Sequence, residues 1–263
     1  MAIEINWNPV PMIGPVPINW YGFTYLLGFL AAWALVRRWA SRAGFSKEQV
    51  DESLTWIALG TLIGARFYFI VQNDLPAYLA EPWRVFAVWE AGLAYFGGLF
   101  GATIAAFLYA RIREVPFLKL ADLYAPAIPI GSAIGRIGCG LAGMDYGTPT
   151  SLPWGVVYTH PASYAPTLDV PRHPTQFYEL AGDLLIAFGL LRLREKLPEG
   201  ALFLTYLIAF AILRFGLFFL RGDVPVVALG LKNGHWTALA ILAVALISYT
   251  AVASRQRRPE RVA

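Results

Sequence analysis

Three arginines stand where the surrounding sequence is apolar: Arg136 in GRIGCGLAGMDYGTPT (135–150), and Arg214 and Arg221 in RFGLFFLRGD (214–223). Seven residues make two helical turns, so Arg214 and Arg221 fall on one face of a helix. Guanidinium groups so aligned suit a phosphate or carboxylate, which they can grip in bidentate fashion. Together with Arg136 they predict a cationic pocket for an anion, and a phospholipid headgroup is the obvious one. Acidic counter-charges in the apolar runs are few (Asp122, Glu179 and Asp183), so the pocket is expected to stay net positive. A fourth arginine, Arg66, lies about halfway along its own apolar run. An arginine at such depth costs about 2.5–3.5 kcal/mol unless it faces a cavity or counter-charge, or snorkels to the nearer interface.

Other polar residues gather in HPTQFYE (173–179), with His173, Gln176, Tyr178 and Glu179 close to one turn. Pro174 suits a helix entry; the polar excess beyond it is unusual for an apolar helix. The glycines of GRIGCGLAG read in two ways. Small residues let membrane helices approach, which accounts for Gly131 and Gly135. Those past Arg136 are expected to break the helix and free backbone N–H groups beside the pocket. His160 and His235 read as structural residues near the surface. No His, Cys or carboxylate spacing predicts a metal, and neither a GxSxG elbow nor a phosphate loop is present.

These groups need elements to hold them. The chain has 263 residues, 57% hydrophobic and only 14% charged, with a mean hydropathy of +0.53. Soluble domains carry roughly 25% charged residues, so the composition predicts an all-α polytopic membrane protein. Seven apolar runs, at about residues 19–36, 54–72, 92–110, 120–138, 176–193, 200–219 and 235–253, suit a hydrocarbon core of about 30 Å. Fourteen Lys and Arg fall in alternate connections and the tail, against four (Arg84, Arg172, Arg221 and Lys232) on the other side. That bias predicts an outside N-terminus and a cytoplasmic C-terminus. The first 20 residues have no Lys or Arg, unlike a cleaved signal peptide, so the first run is expected to remain. With the single Cys139, no internal disulfide can form. Residues 73–91, with Trp83 and Trp89, suit an outer interfacial arm, and residues 139–175, rich in Gly, Pro, Thr and Tyr, a small cap, within one membrane domain over 1–263.

Taken in order, WYGFTYLLGF (20–29), GARFYF (64–69), YFGGLFG (95–101), the run from DLYAPAIPIG to GRIGCGLAGMDYG (122–147), RHPTQFYE (172–179) and RFGLFFLRGD (214–223) resemble the bacterial prolipoprotein diacylglyceryl transferases. The resemblance covers nearly the whole chain. It implies seven spans, an outer cap and a place in the bacterial cytoplasmic membrane. It further implies transfer of a diacylglyceryl group from phosphatidylglycerol to the lipobox cysteine of prolipoprotein signal peptides, releasing glycerol 1-phosphate, with no cofactor, metal or nucleic acid. On this resemblance Arg136, Arg214, Tyr21 and His173 are candidate catalytic residues. Arg66, Gly97, Gly98, Gly143, Gly147, Gln176, Tyr178, Glu179 and Arg221 are candidate substrate-binding residues.

The sequence departs from the family's pattern at four places. Phe96 replaces the histidine of the HGGL motif, Cys139 the asparagine three residues after the signature arginine, Met144 a glutamate with Asp145 beside it, and Phe218 the glutamate between the paired arginines. The usual general base is thereby removed. His173, Tyr21, Asp145 or the arginine field alone remain as alternatives for accepting the thiol proton. Two rival functions stand beside the enzyme: a relative that binds phospholipid or serves another acceptor, and a transporter. The last would need polar residues along a through-path, whereas these arginines crowd towards one side.

Overall fold

The computed structural model describes residues 2–73, 78, 80–86, 94–165 and 170–256. Among the described residues eight α-helices carry the chain: α1 (Trp20–Trp39), α2 (Lys47–Asn73), α3 (Tyr95–Ile112), α4 (Phe117–Tyr124), α5 (Ala127–Ala142), α6 (Thr175–Leu193), α7 (Ala201–Leu220) and α8 (Asn233–Gln256). Apolar runs this long become helices because lipid offers no partner for a backbone N–H or C=O, and a helix satisfies both within itself. The stretches Lys47–Val71, Phe117–Ala142, Ala201–Leu220 and Asn233–Ser254 are long and apolar enough to cross a membrane. The chain is a polytopic helical membrane protein.

The run expected at 120–138 is two helices, interrupted at Pro126, which lacks an N–H and disfavours helix in the residue before it. Its second half reaches Ala142, so the helix does not break after Arg136 as expected. Much of the expected arm at 73–91 lies outside the described residues; among those described, Pro82–Phe86 forms a 3-10 turn.

The chain forms two compact units. In the unit of residues 36–120, α2 and α3 meet through Gly60 and Gly64 on one helix and Gly97 and Gly101 on the other. A methyl on Gly97 would lie 2.3 Å from the carbonyl oxygen of Gly64, a contact that only glycine permits. At Gly98, next along, a methyl would lie 3.3 Å from the Thr61 methyl, a tight contact that a small shift of that side chain relieves. Arg66 donates from Nη2 to the carbonyl of Arg84 at 2.7 Å and from Nε to that of Val85 at 3.2 Å. Its guanidinium therefore ties the 3-10 turn to α2.

In the unit of residues 1–35 and 121–263, α1 lies tightly on α5. A methyl on Gly28 would stand 2.2 Å from Gly131 O, and Thr24 Oγ1 donates to Gly135 O at 3.2 Å. Asp122, expected to be a counter-charge, instead caps α7. Its carboxylate accepts from the N–H groups of Gly200 (2.6 Å) and Phe203 (2.7 Å), donors that a helix start leaves without intrahelical partners. Outside the helices, β1 (Ile3–Ile5) pairs in parallel with β4 (Val156–Tyr158), over a small core of Val156, Tyr158 and Ala165. Two hairpins complete the described strands: β2 (Met12–Ile13) with β3 (Val16–Pro17), and β5 (Val226–Ala228) with β6 (Leu231–Lys232). His235, expected near the surface, is 1% exposed; its Nδ1 accepts from the Lys232 N–H at 3.0 Å and holds the last hairpin to α8.

Candidate active site

Helix α5 ends at Gly143, whose φ of +75° turns the chain back in a left-handed cap that glycine adopts at little cost. The loop that follows is held from α6. Gln176 Nε2 donates to the carbonyl of Met144, and Thr175 Oγ1 to that of Asp145 at 2.5 Å. The N–H of Gly147 donates to His173 O at 3.1 Å, and a methyl on Gly147 would lie 2.4 Å from that same oxygen. Much of the polar excess of HPTQFYE is thus explained, since Thr175 and Gln176 fasten this loop. The glycines expected to free N–H groups do the opposite: Gly138 and Gly140 remain inside α5, and the N–H groups of Gly143 and Gly147 are bonded.

With the loop so held, Asp145 faces the arginines. Arg136 Nη2 donates to Glu179 Oε1 at 2.8 Å, and its Nη1 to Asp145 Oδ2. Arg214 donates to the same oxygen of Glu179. Arg221 donates to Asp145 Oδ1 at 2.6 Å and, by two bonds, to Asp223 at 2.5 and 2.6 Å. Lys232 Nζ donates to the carbonyl of Arg221. One chain of charge therefore runs from Arg214 through Glu179, Arg136, Asp145 and Arg221 to Asp223. The pocket expected to await an anion already holds counter-charge: three guanidinium groups, with Lys232 beside Arg221, meet three carboxylates. A buried cation without partners would be costly, and Asp145 and Asp223, both outside the helices, supply two of the counter-charges.

The guanidinium groups of Arg214 and Arg221 lie 4.8 and 5.4 Å from the centre of the Phe218 ring. Cys139 is fully buried; its Sγ lies 4.0 Å from Arg136 Nη1 and 3.9 Å from the hydroxyl of Tyr25. Tyr21 packs on Tyr25, ring centres 4.8 Å apart. Burial alone would raise the Asp145 carboxyl; Arg221 and Arg136 overcome it and hold the group below the usual carboxylate range.

Of the residues singled out from sequence, Arg136, Arg214, Arg221 and Glu179 come together in this network, with Gly143, Gly147 and Gln176 shaping its loop. His173 and Tyr178 enter another chain: Trp154 Nε1 donates to the Tyr178 hydroxyl at 2.7 Å, which lies 3.4 Å from His173 Nδ1. Arg66, Gly97 and Gly98 belong to the 36–120 unit and are bound or packed within it. The side chain of Phe96 lies outside the described residues. Asp223 was missed by sequence reading, although its place two residues after Arg221 was the available signal.

A model of the family "Prolipoprotein diacylglyceryl transferase" matches residues 10–251. Proteins named phosphatidylglycerol–prolipoprotein diacylglyceryl transferase are similar over most of their length. That of Nitratidesulfovibrio vulgaris is 39% identical over 223 residues, 83% of this chain and 82% of that protein. That of Geobacter sulfurreducens is 37% identical over 229 residues, 86% and 85% of the two chains. That of Cupriavidus pinatubonensis is 33% identical over 269 residues, 98% and 96%. With a match of that extent over helices that carry a buried arginine–carboxylate network, this chain belongs to the prolipoprotein diacylglyceryl transferase family.

Proposed function

We propose that this protein transfers the diacylglyceryl group of phosphatidylglycerol to the cysteine thiol of prolipoproteins, releasing glycerol 1-phosphate. The observation that carries this reading is the Arg136–Glu179–Arg214 cluster, assembled from three helices by the segments that match the family. In the reaction a thiolate displaces the phosphate from the glyceryl carbon. Negative charge grows on the departing phosphate, and guanidinium groups fixed in a low-dielectric site stabilise it. Arg136 and Arg214 are assigned to that phosphate, Arg221 to a secondary contact, and Tyr21 and Glu179 to orienting these groups. His173 and Tyr178, beside Trp154, are placed at the approach of the signal peptide.

The same reading gives seven spans (α1, α2, α3, α4 with α5, α6, α7 and α8) in the bacterial cytoplasmic membrane. The N-terminus is outside, the C-terminus is cytoplasmic, and residues 139–175 supply an outer cap.

The experiment gives purified protein phosphatidylglycerol and a lipobox peptide and measures glycerol 1-phosphate. Release is expected from wild type and is expected to fall by at least about 100-fold in Arg136→Lys and Arg214→Lys, which keep the charge but lose the fork. Lipid binding without release in the wild type would favour a lipid-binding relative; undiminished release in both variants would refute the arginine assignment.

A further inference from the structure

Asp145 bridges Arg136 and Arg221, so an anionic headgroup that lies against both guanidinium groups takes the place of that carboxylate. Exchange of one carboxylate for the headgroup leaves the charge around the three guanidinium groups and Lys232 nearly unchanged, which a low-dielectric site favours over adding an anion outright. The three carboxylates differ in how firmly they are held. Glu179 sits within α6, its side chain 4% exposed, and is shared by Arg136 and Arg214. Asp223 grips Arg221 with both oxygens. Asp145 gives one oxygen to Arg136 and the other to Arg221. At 28% its side chain is the most exposed of the three, and it stands in a loop with a left-handed φ of 57°.

We propose that the phosphodiester of the lipid displaces Asp145 from Arg136 and Arg221, and that the released carboxylate accepts the proton of the attacking thiol. This rests on the transferase reading above. The step balances. The thiol proton passes to an Asp145 oxygen, sulfur bonds to the glyceryl carbon, and the carbon–oxygen bond to phosphate breaks with its electron pair on the departing phosphate. That group gains a second negative charge, which Arg136 and Arg214 face, with Arg221, released by Asp145, as the secondary contact. The proton then passes from Asp145 to the product phosphate or to water, and the ion pairs re-form.

Electrostatics support the order of events. The arginines hold the Asp145 carboxyl below its usual range against burial; once they turn to phosphate, burial prevails and the carboxylate becomes a stronger base. Base strength therefore arises only with lipid in place. Of the rival acceptors, His173 belongs to the separate Trp154–Tyr178 chain, its Nδ1 3.4 Å from the Tyr178 hydroxyl.

The test uses the full chain in phosphatidylcholine nanodiscs with graded phosphatidylglycerol and a lipobox peptide. Asp145→Asn and Asp145→Ser are compared with wild type and Asp145→Glu, each shown to be monodisperse; either neutral variant suffices. A neutral residue no longer competes for the arginines, so KM for phosphatidylglycerol is expected to fall several-fold while kcat falls about 100-fold or more. Asp145→Glu is expected to recover most of kcat. A neutral variant with kcat within about threefold of wild type, or with KM raised and kcat unchanged, would overturn the proposal. If wild type releases no glycerol 1-phosphate, the transferase reading fails, and lipid binding then decides the exchange. Tighter phosphatidylglycerol binding by the neutral variant keeps the displacement, and equal or weaker binding refutes it.

Discussion

Phe218 occupies the place where the family usually keeps a glutamate, and it holds the paired arginines by other means. Its ring lies against the guanidinium groups of Arg214 and Arg221 and packs so closely on Gly234 that a methyl there would lie 2.0 Å from it. Each cation–ring contact contributes about 0.5–2 kcal/mol. Phe218→Leu keeps the apolar volume but removes the ring. It is expected to destabilise the protein by about 1–3 kcal/mol, read as a lower Tm in detergent, and to raise KM for phosphatidylglycerol as both arginines lose their common platform. An unchanged Tm and KM would show that the carboxylates alone position the pair. The arginines themselves were legible in the sequence, because charge in an apolar run demands a reason. Their partners were only half legible: Glu179 lies in the motif, whereas Asp145 and Asp223 sit in turns whose approach depends on the fold.

At the scale of elements, packing by small residues decides how closely helices approach. Gly97 and Gly98 look equivalent in YFGGLFG, and the resemblance assigns both to substrate. In the structure a methyl on Gly97 meets the Gly64 backbone across α2 and α3, whereas one on Gly98 meets only the Thr61 methyl, which can shift by the few tenths of an ångström required. Gly97→Ala is therefore expected to force α2 and α3 apart and to lower the yield of folded protein sharply. Gly98→Ala is expected to fold with a much smaller loss of stability. Thermal unfolding of the two variants in the same detergent checks this, and equal stability would refute the packing assignment. Periodicity could not separate the two glycines, because which one faces a neighbour depends on helix rotation. Asp122 shows the same limit. In the sequence it is an acid in an apolar run, and only the approach of the α7 start makes it a helix cap.

At the scale of the whole molecule, the proposed topology puts the charge network and the cap on one side of the membrane and the C-terminus on the other. An alkaline phosphatase fused after Ala263 is expected to be inactive in cells, and a fluorescent protein at the same place to be bright; the reverse pair would overturn the orientation. The sequence by itself determined that the chain is a helical membrane protein, roughly where most of its apolar helices lie, and which arginines need an anionic partner. Each of these follows from local cost: apolar length, backbone hydrogen bonds and the penalty for a charge in hydrocarbon. Only the tertiary structure decided how those arginines are satisfied. It also decided that α5 continues to Ala142 and that the loop after it is bonded rather than open. These outcomes depend on groups distant in sequence, such as Gln176 with Met144 and Arg221 with Asp145, which meet only when the helices pack.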